Sequence, residues 1–144
     1  IREGGMNNIY FSSLNPKSVQ WNANSLVYKS PDKHVCECCK PNIVVGTHKI
    51  AIGFRNWLMG SRDIYFTVSA DKGKSFSAAK KSGTGTWQLN ACPMDGGSLA
   101  VNSVGKVSAA WRRNGDVYYW SENRAAILIP VKQSMRVDHR RPIL

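Results

Sequence analysis

Asp63-Ile64-Tyr65-Phe66-Thr67-Val68-Ser69-Ala70-Asp71-Lys72-Gly73-Lys74-Ser75-Phe76 decides how this chain is read. Its first half is a run of β-branched and aromatic residues with a two-residue rhythm, the pattern of a strand. Asp71-Lys72-Gly73 then supplies a turn, because Asp bonds its own backbone and Gly accepts a positive φ. Similar strands lie on either side, at Lys49-Ile50-Ala51-Ile52-Gly53-Phe54 and Lys106-Val107-Ser108-Ala109-Ala110-Trp111. Further turn signals stand at Val104-Gly105 and Asn114-Gly115-Asp116. No stretch of helical length carries a helical apolar period, so the expected class is all-β.

The strand recurs. Asn8-Ile9-Tyr10-Phe11, Asp63-Ile64-Tyr65-Phe66 and Asp116-Val117-Tyr118-Tyr119 are three versions of it, with 55 residues from Ile9 to Ile64 and 53 from Ile64 to Val117. A second pairing, Lys49 to Arg55 against Lys106 to Arg112, has an offset of 57. A recurrence near 50 residues holding about four strands is the signature of a propeller blade. The central unit parses as strands at 42–46, 49–56, 62–69 and 76–81, and the next at 97–102, 106–113, 116–121 and 126–131. Strands at 7–13 and 24–29 supply the last two of a preceding blade. The expected organisation is therefore the end of one blade over 1–35, a complete blade over 36–86, the next over 87–135, and a basic tail over 136–144. About two and a half blades do not close a ring, which needs roughly four or more. The expectation is a fragment of a longer protein, or else a protomer completing its ring by assembly.

Composition limits the functions. In 144 residues there are 20 Lys+Arg against 9 Asp+Glu, a formal net charge of +11, with five Trp, five Tyr and four Phe. That aromatic and apolar content excludes a disordered basic tail, and no apolar run approaches the ~20 residues of a membrane span. The charge attracts polyanions in general, yet it is dispersed, with pairs at Lys80-Lys81, Arg112-Arg113 and Arg140-Arg141 and no run of five. No nucleic-acid-binding signature is present. His34, His48 and His139 are scattered, and no catalytic Ser–His–Asp set or phosphate-binding loop appears.

Ser69-Ala70-Asp71-Lys72-Gly73-Lys74-Ser75-Phe76 resembles the Asp-box of sialidase-type repeats, in which Ser69, Asp71, Gly73 and Phe76 hold the turn to the blade. Cys36-Glu37-Cys38-Cys39-Lys40-Pro41, Arg62-Asp63-Ile64 and Trp87-Gln88-Leu89-Asn90-Ala91-Cys92-Pro93 extend the resemblance to exported bacterial sialidase-like proteins, over about residues 36–120. The resemblance implies a propeller of six-bladed type. It further implies binding of anionic glycans, with glycoside hydrolysis by the intact protein as the family expectation. The alternative is a non-catalytic binding or assembly module, favoured by the missing (Phe/Tyr)-Arg-Ile-Pro signature and by only three Glu. Arg55, Arg62, Arg112 and Arg113 with Trp87 form the expected ligand surface, since guanidinium forks suit carboxylate or sulfate. Asp95 is the candidate catalytic acid.

Both cysteine segments precede the first strand of a blade, where neighbouring crossovers lie side by side. Cys92 is thus expected within disulfide reach of Cys38 or Cys39, while Cys36, Cys38, Cys39 and Cys92 allow three connectivities. Zinc or copper(I) held by the four sulfurs is the rival reading, weakened because only Cys36 and Cys39 have the usual Cys-x₂₋₄-Cys spacing; free thiols are a third. The expectation is disulfides, no metal and no cofactor, and a periplasmic or extracellular setting. The chain opens on Ile1 rather than Met, with no secretory signal pattern.

Overall fold

The computed structural model describes residues 2–3, 6–32 and 34–122. These build an all-β chain of twelve strands: β1 (Arg2–Glu3), β2 (Met6–Phe11), β3 (Leu14–Asn15), β4 (Gln20–Trp21), β5 (Ser25–Lys29), β6 (Asn42–Val45), β7 (Ile50–Leu58), β8 (Ser61–Ser69), β9 (Lys80–Lys81), β10 (Ser98–Val101), β11 (Val107–Arg113) and β12 (Asp116–Ser121). All the ladders are antiparallel. The sheets run β1-β2-β5, β6-β7-β8-β9 and β10-β11-β12, with a small β3-β4 ribbon beside them. The expected strand over 126–131 and the tail over 136–144 lie outside the described residues.

The β6-β7-β8-β9 sheet is covered on both faces, and the two-residue period of β7 assigns each side chain to one of them. Ile52 and Phe54 point to the first sheet, where they pack with Ile9 and Val35. Asn56 points the same way and donates to the Tyr28 hydroxyl at 2.8 Å. Ala51 points to the third sheet, into a cluster with Phe66 and Val107. Gly53 lies on that face too, and a Cβ there would meet Leu99 at 2.8 Å, so the absent side chain is what lets β10 approach. On β8, Ile64 joins Ala109 and Trp111 of β11, and Phe66 meets the Trp120 ring at 5.0 Å. Burial on both faces explains why residues 51–56 are buried without a break.

The turn after β8 adopts the arrangement expected from its residue types. Ser75 N–H donates to Asp71 Oδ1 at 2.9 Å and the Ser75 hydroxyl to Oδ2 at 2.6 Å. The Ser69 hydroxyl donates to Asp71 at 2.7 Å and accepts from Gly73 N–H at 2.8 Å. Gly73 takes φ 87°, and Phe76 packs edge-on against Phe11 of the first sheet at 5.4 Å. The turn therefore also ties two sheets together.

Two local expectations are corrected. Of the strand expected over 76–81, only Lys80–Lys81 pairs with β8. Phe76 is drawn sideways to Phe11, and the Ser77 carbonyl is taken by the Thr67 hydroxyl at 2.5 Å. Where strands were expected at 7–13 and 24–29, the first ends at Phe11 and the chain then forms the β3-β4 ribbon, pairing Leu14 with Trp21, which is 71% exposed.

Two predictions follow the packing. Phe54→Ala empties a site with no solvent access and is expected to cost about 3–5 kcal/mol in urea unfolding. The bonds from Ser75, and then Ser69, hold the Asp71 carboxyl well below the ordinary carboxylate range. A carboxyl depressed in the folded state stabilises fully above its unfolded pKa of about 4, and that contribution is lost as pH falls toward the folded value. Asp71→Asn should lower the melting temperature at pH 7, and the gap to the parent chain should narrow steadily below about pH 4.

Candidate functional site

The turn-box end of the central sheet is built for folding, whereas the opposite end gathers charge, sulfur and aromatic rings. It consists of the β7-β8 hairpin tip, the β11-β12 turn, and two crossover segments that grip the hairpin from either side. Cys36 N–H donates to the Arg55 carbonyl at 2.9 Å and Trp57 N–H to the His34 carbonyl at 3.2 Å. On the other edge Arg62 N–H donates to the Trp87 carbonyl at 2.8 Å.

Arg55 occupies the centre. Its position on β7 aims it at the third sheet, and its side chain has no solvent exposure. Nε donates to the Asp95 carbonyl at 2.9 Å, Nη1 to the Arg62 carbonyl at 2.6 Å and Nη2 to the Arg112 carbonyl at 3.1 Å. Nη2 also pairs with Asp95 Oδ1, and the Trp87 ring lies 5.4 Å away. One guanidinium thus joins β7, β8, β11 and the second crossover. Asp95 binds Arg112 Nε through its other oxygen at 3.1 Å, and Arg112 Nη2 donates to the Pro93 carbonyl at 3.1 Å. With both carboxylate oxygens accepting from guanidinium groups, Asp95 is placed to position two arginines rather than to exchange a proton with a bound sugar.

The other arginines of the expected ligand surface divide in the same way. Arg62 is buried, donates to the Leu89 carbonyl at 3.4 Å and to Cys36 Sγ at 3.1 Å, and stacks over the Trp57 ring at 4.2 Å. Asp63 does not pair with it: Lys81 Nζ reaches Asp63 Oδ2 at 2.7 Å and Trp87 N–H reaches Oδ1 at 3.0 Å. Arg113 lies over the Tyr118 ring at 4.1 Å, donates to the Thr84 carbonyl at 3.0 Å, and has no acidic partner among the described residues. It borders a cleft of about 390 Å³ lined by Gly85, Thr86, Trp87, Gln88, Arg113, Asn114 and Tyr118. Arg113 and Trp87, both expected on the ligand surface, line this cleft together with Tyr118, which the sequence marked only as a strand residue.

The crossovers also bring the cysteines together. Cys38 and Cys92 form a disulfide with Cα atoms 6.5 Å apart across 54 residues, one of the two pairings expected for Cys92. Closing a loop of that length contributes about 4 kcal/mol in the chain-entropy treatment. At Gly96 a Cβ would collide with the Lys40 carbonyl, so the two crossovers touch backbone to backbone. Cys36 and Cys39 are buried free thiols with their sulfurs 2.8 Å apart. The bond shared with Cys39, with the Arg62 guanidinium, brings the Cys36 thiol down to about 6, while Cys39 is pushed far up by the same bond and by burial. A second cavity, of about 320 Å³, opens beside this pair, with Asn8, Glu37 and Pro41 in its wall.

Arg55→Met removes the guanidinium from four acceptors and is expected to destabilise the chain by about 3–5 kcal/mol. Arg55→Lys should recover little in the same thermal-unfolding measurement, because a point ammonium cannot span acceptors on different strands. Comparison of the chain with protein-family models, with curated proteins and with solved structures finds no match.

Proposed function

We propose that this chain is a piece of an exported, sialidase-like propeller and that it serves as a recognition module for acidic saccharides. The observation that carries this reading is the cleft between Trp87, Arg113 and Tyr118. Its volume falls in the range of small-molecule sites, roughly 300–1,000 Å³. Aromatic faces offer apolar area to the carbon face of a sugar ring, and a guanidinium with no carboxylate partner among the described residues offers a fork to carboxylate or sulfate. Gln88 and Asn114 add amide groups for hydroxyls.

Three antiparallel sheets, the central one packed on both of the others, and strands that recur at a near-constant interval support the propeller part of the proposal. The Cys38–Cys92 bridge supports an oxidising, periplasmic or extracellular setting. No helix among the described residues is long and apolar enough to cross a membrane.

Recognition is preferred to hydrolysis on one specific ground. Arg55, Arg62 and Arg112 are already committed to carbonyls, a sulfur and Asp95, so among the described residues no set of free guanidinium groups converges on one point. Hydrolysis by the intact protein remains the family-level alternative and is read by a fluorogenic sialoside assay on the full-length protein.

The test is calorimetric titration with sialylated and sulfated oligosaccharides against their neutral counterparts. Binding of the acidic members is expected, with Trp87→Ala and Arg113→Ala each weakening it about tenfold or more (about 1.4 kcal/mol). Equal affinity for neutral and acidic sugars would refute the assignment. So would affinity that collapses with salt yet ignores both substitutions, the behaviour of diffuse polyanion attraction.

A further inference from the structure

Where the two crossovers touch, the Sγ atoms of Cys36, Cys38, Cys39 and Cys92 all lie within 4.8 Å of one another. Four thiolates around zinc at about 2.3 Å define a tetrahedron with edges of about 3.8 Å. The Cys36–Cys38 and Cys38–Cys39 separations, 3.5 and 4.0 Å, already match that edge. The Cys36–Cys39 separation of 2.8 Å would widen by about 1 Å to reach it. The disulfide occupies one further edge.

The surroundings suit an anionic thiolate cluster. Arg62 donates to Cys36 Sγ at 3.1 Å from a buried position, the kind of outer partner that orients a ligand and offsets its charge. Cys36 and Cys39 face a cavity, and Cys92 is exposed, so an ion has a way in. The ligands come from two segments already held in register by the Gly96–Lys40 contact and the Arg55–Asp95 pair. All-sulfur, four-ligand, closed geometry selects a divalent d¹⁰ ion over magnesium, calcium or an open catalytic centre.

We propose that the four cysteines are a redox-gated zinc-class metal site. A thiol or phosphine reductant supplies two electrons, itself becoming a disulfide or, with water, a phosphine oxide, and the Cys38–Cys92 bond opens to two protonated thiols. The ion then displaces the four thiol protons into the buffered medium and is held by four thiolates. The same two crossovers are stapled in either state, by a covalent bridge under oxidising conditions and by the ion under reducing ones. This inference stands apart from the saccharide cleft and does not depend on it.

The whole chain is reduced anaerobically with a phosphine, freed of excess reagent, and titrated with Cd²⁺ and with Zn²⁺. Thiolate-to-cadmium charge-transfer absorption, reactive-thiol counting and near-ultraviolet circular dichroism are recorded together. The expected result is a break at one Cd²⁺ per chain with all four thiols protected and the native dichroism present. Cys92→Ser should weaken Cd²⁺ binding by about 100-fold, and Arg62→Gln by about tenfold, as an outer partner does. Should reduction alone abolish the native dichroism, its recovery on adding metal upholds the site and its failure to recover overturns it. Absence of a one-equivalent break, thiols that stay reactive, or unchanged affinity in Cys92→Ser overturns it as well.

Discussion

A guanidinium with no access to water organises the hairpin-tip end of the central sheet. Arg55 reaches the carbonyls of Arg62, Arg112 and Asp95 and the carboxylate of Asp95. Removing a cation from water is costly, and the attraction to Asp95 only offsets that cost if the remaining donors are also satisfied. Arginine meets the condition because its planar fork can serve several strands at once. The consequence is geometric: the β7-β8 hairpin, the end of β11 and the second crossover have one arrangement in which that cation is paired. The disulfide and the cleft beside Trp87, Arg113 and Tyr118 both lie on elements so positioned.

The central sheet separates folding from chemistry along its length. At one end the Asp71 turn satisfies itself with Ser69, Gly73 and Ser75 and sends Phe76 to the neighbouring sheet. In the middle, both faces are apolar and closely packed, and Gly53 yields its side chain to Leu99. At the other end polar groups are numerous because hairpin tips and crossovers leave backbone donors and acceptors that side chains must satisfy. Much of the arginine there answers that need. Arg113 stands out because its ring contact and single carbonyl leave it beside an open cleft rather than inside the packing.

Legibility followed the range of the interaction. The Asp71 turn could be read because all its bonds lie within a few residues, and Asp, Gly and Ser at those spacings have few other uses. The long strands β7, β8, β11 and β12 were legible because two-residue patterning and β-branched or aromatic content act locally. The β3-β4 ribbon was not: its strands are two residues long and its apolar members, Leu14 and Trp21, are exposed. The irregular pairing after Phe76 was equally hidden, since there Ser77 bonds Val68 and Thr67 outside the regular ladder while Phe76 packs on Phe11, 65 residues earlier in the chain.

By itself, then, the sequence determined the all-β class, the positions of the long strands, the Asp71 turn and the two cysteine segments, all consequences of local sterics and short-range hydrogen bonding. Tertiary structure alone decided that Cys92 pairs with Cys38, that Arg55 is a buried strut while Arg113 borders a cleft, and that Asp95 faces two guanidinium groups. Each of those outcomes depends on which residues from distant segments share a face once the sheets pack, and an arginine carries no local mark of whether its partner will be a carbonyl, a thiol or water.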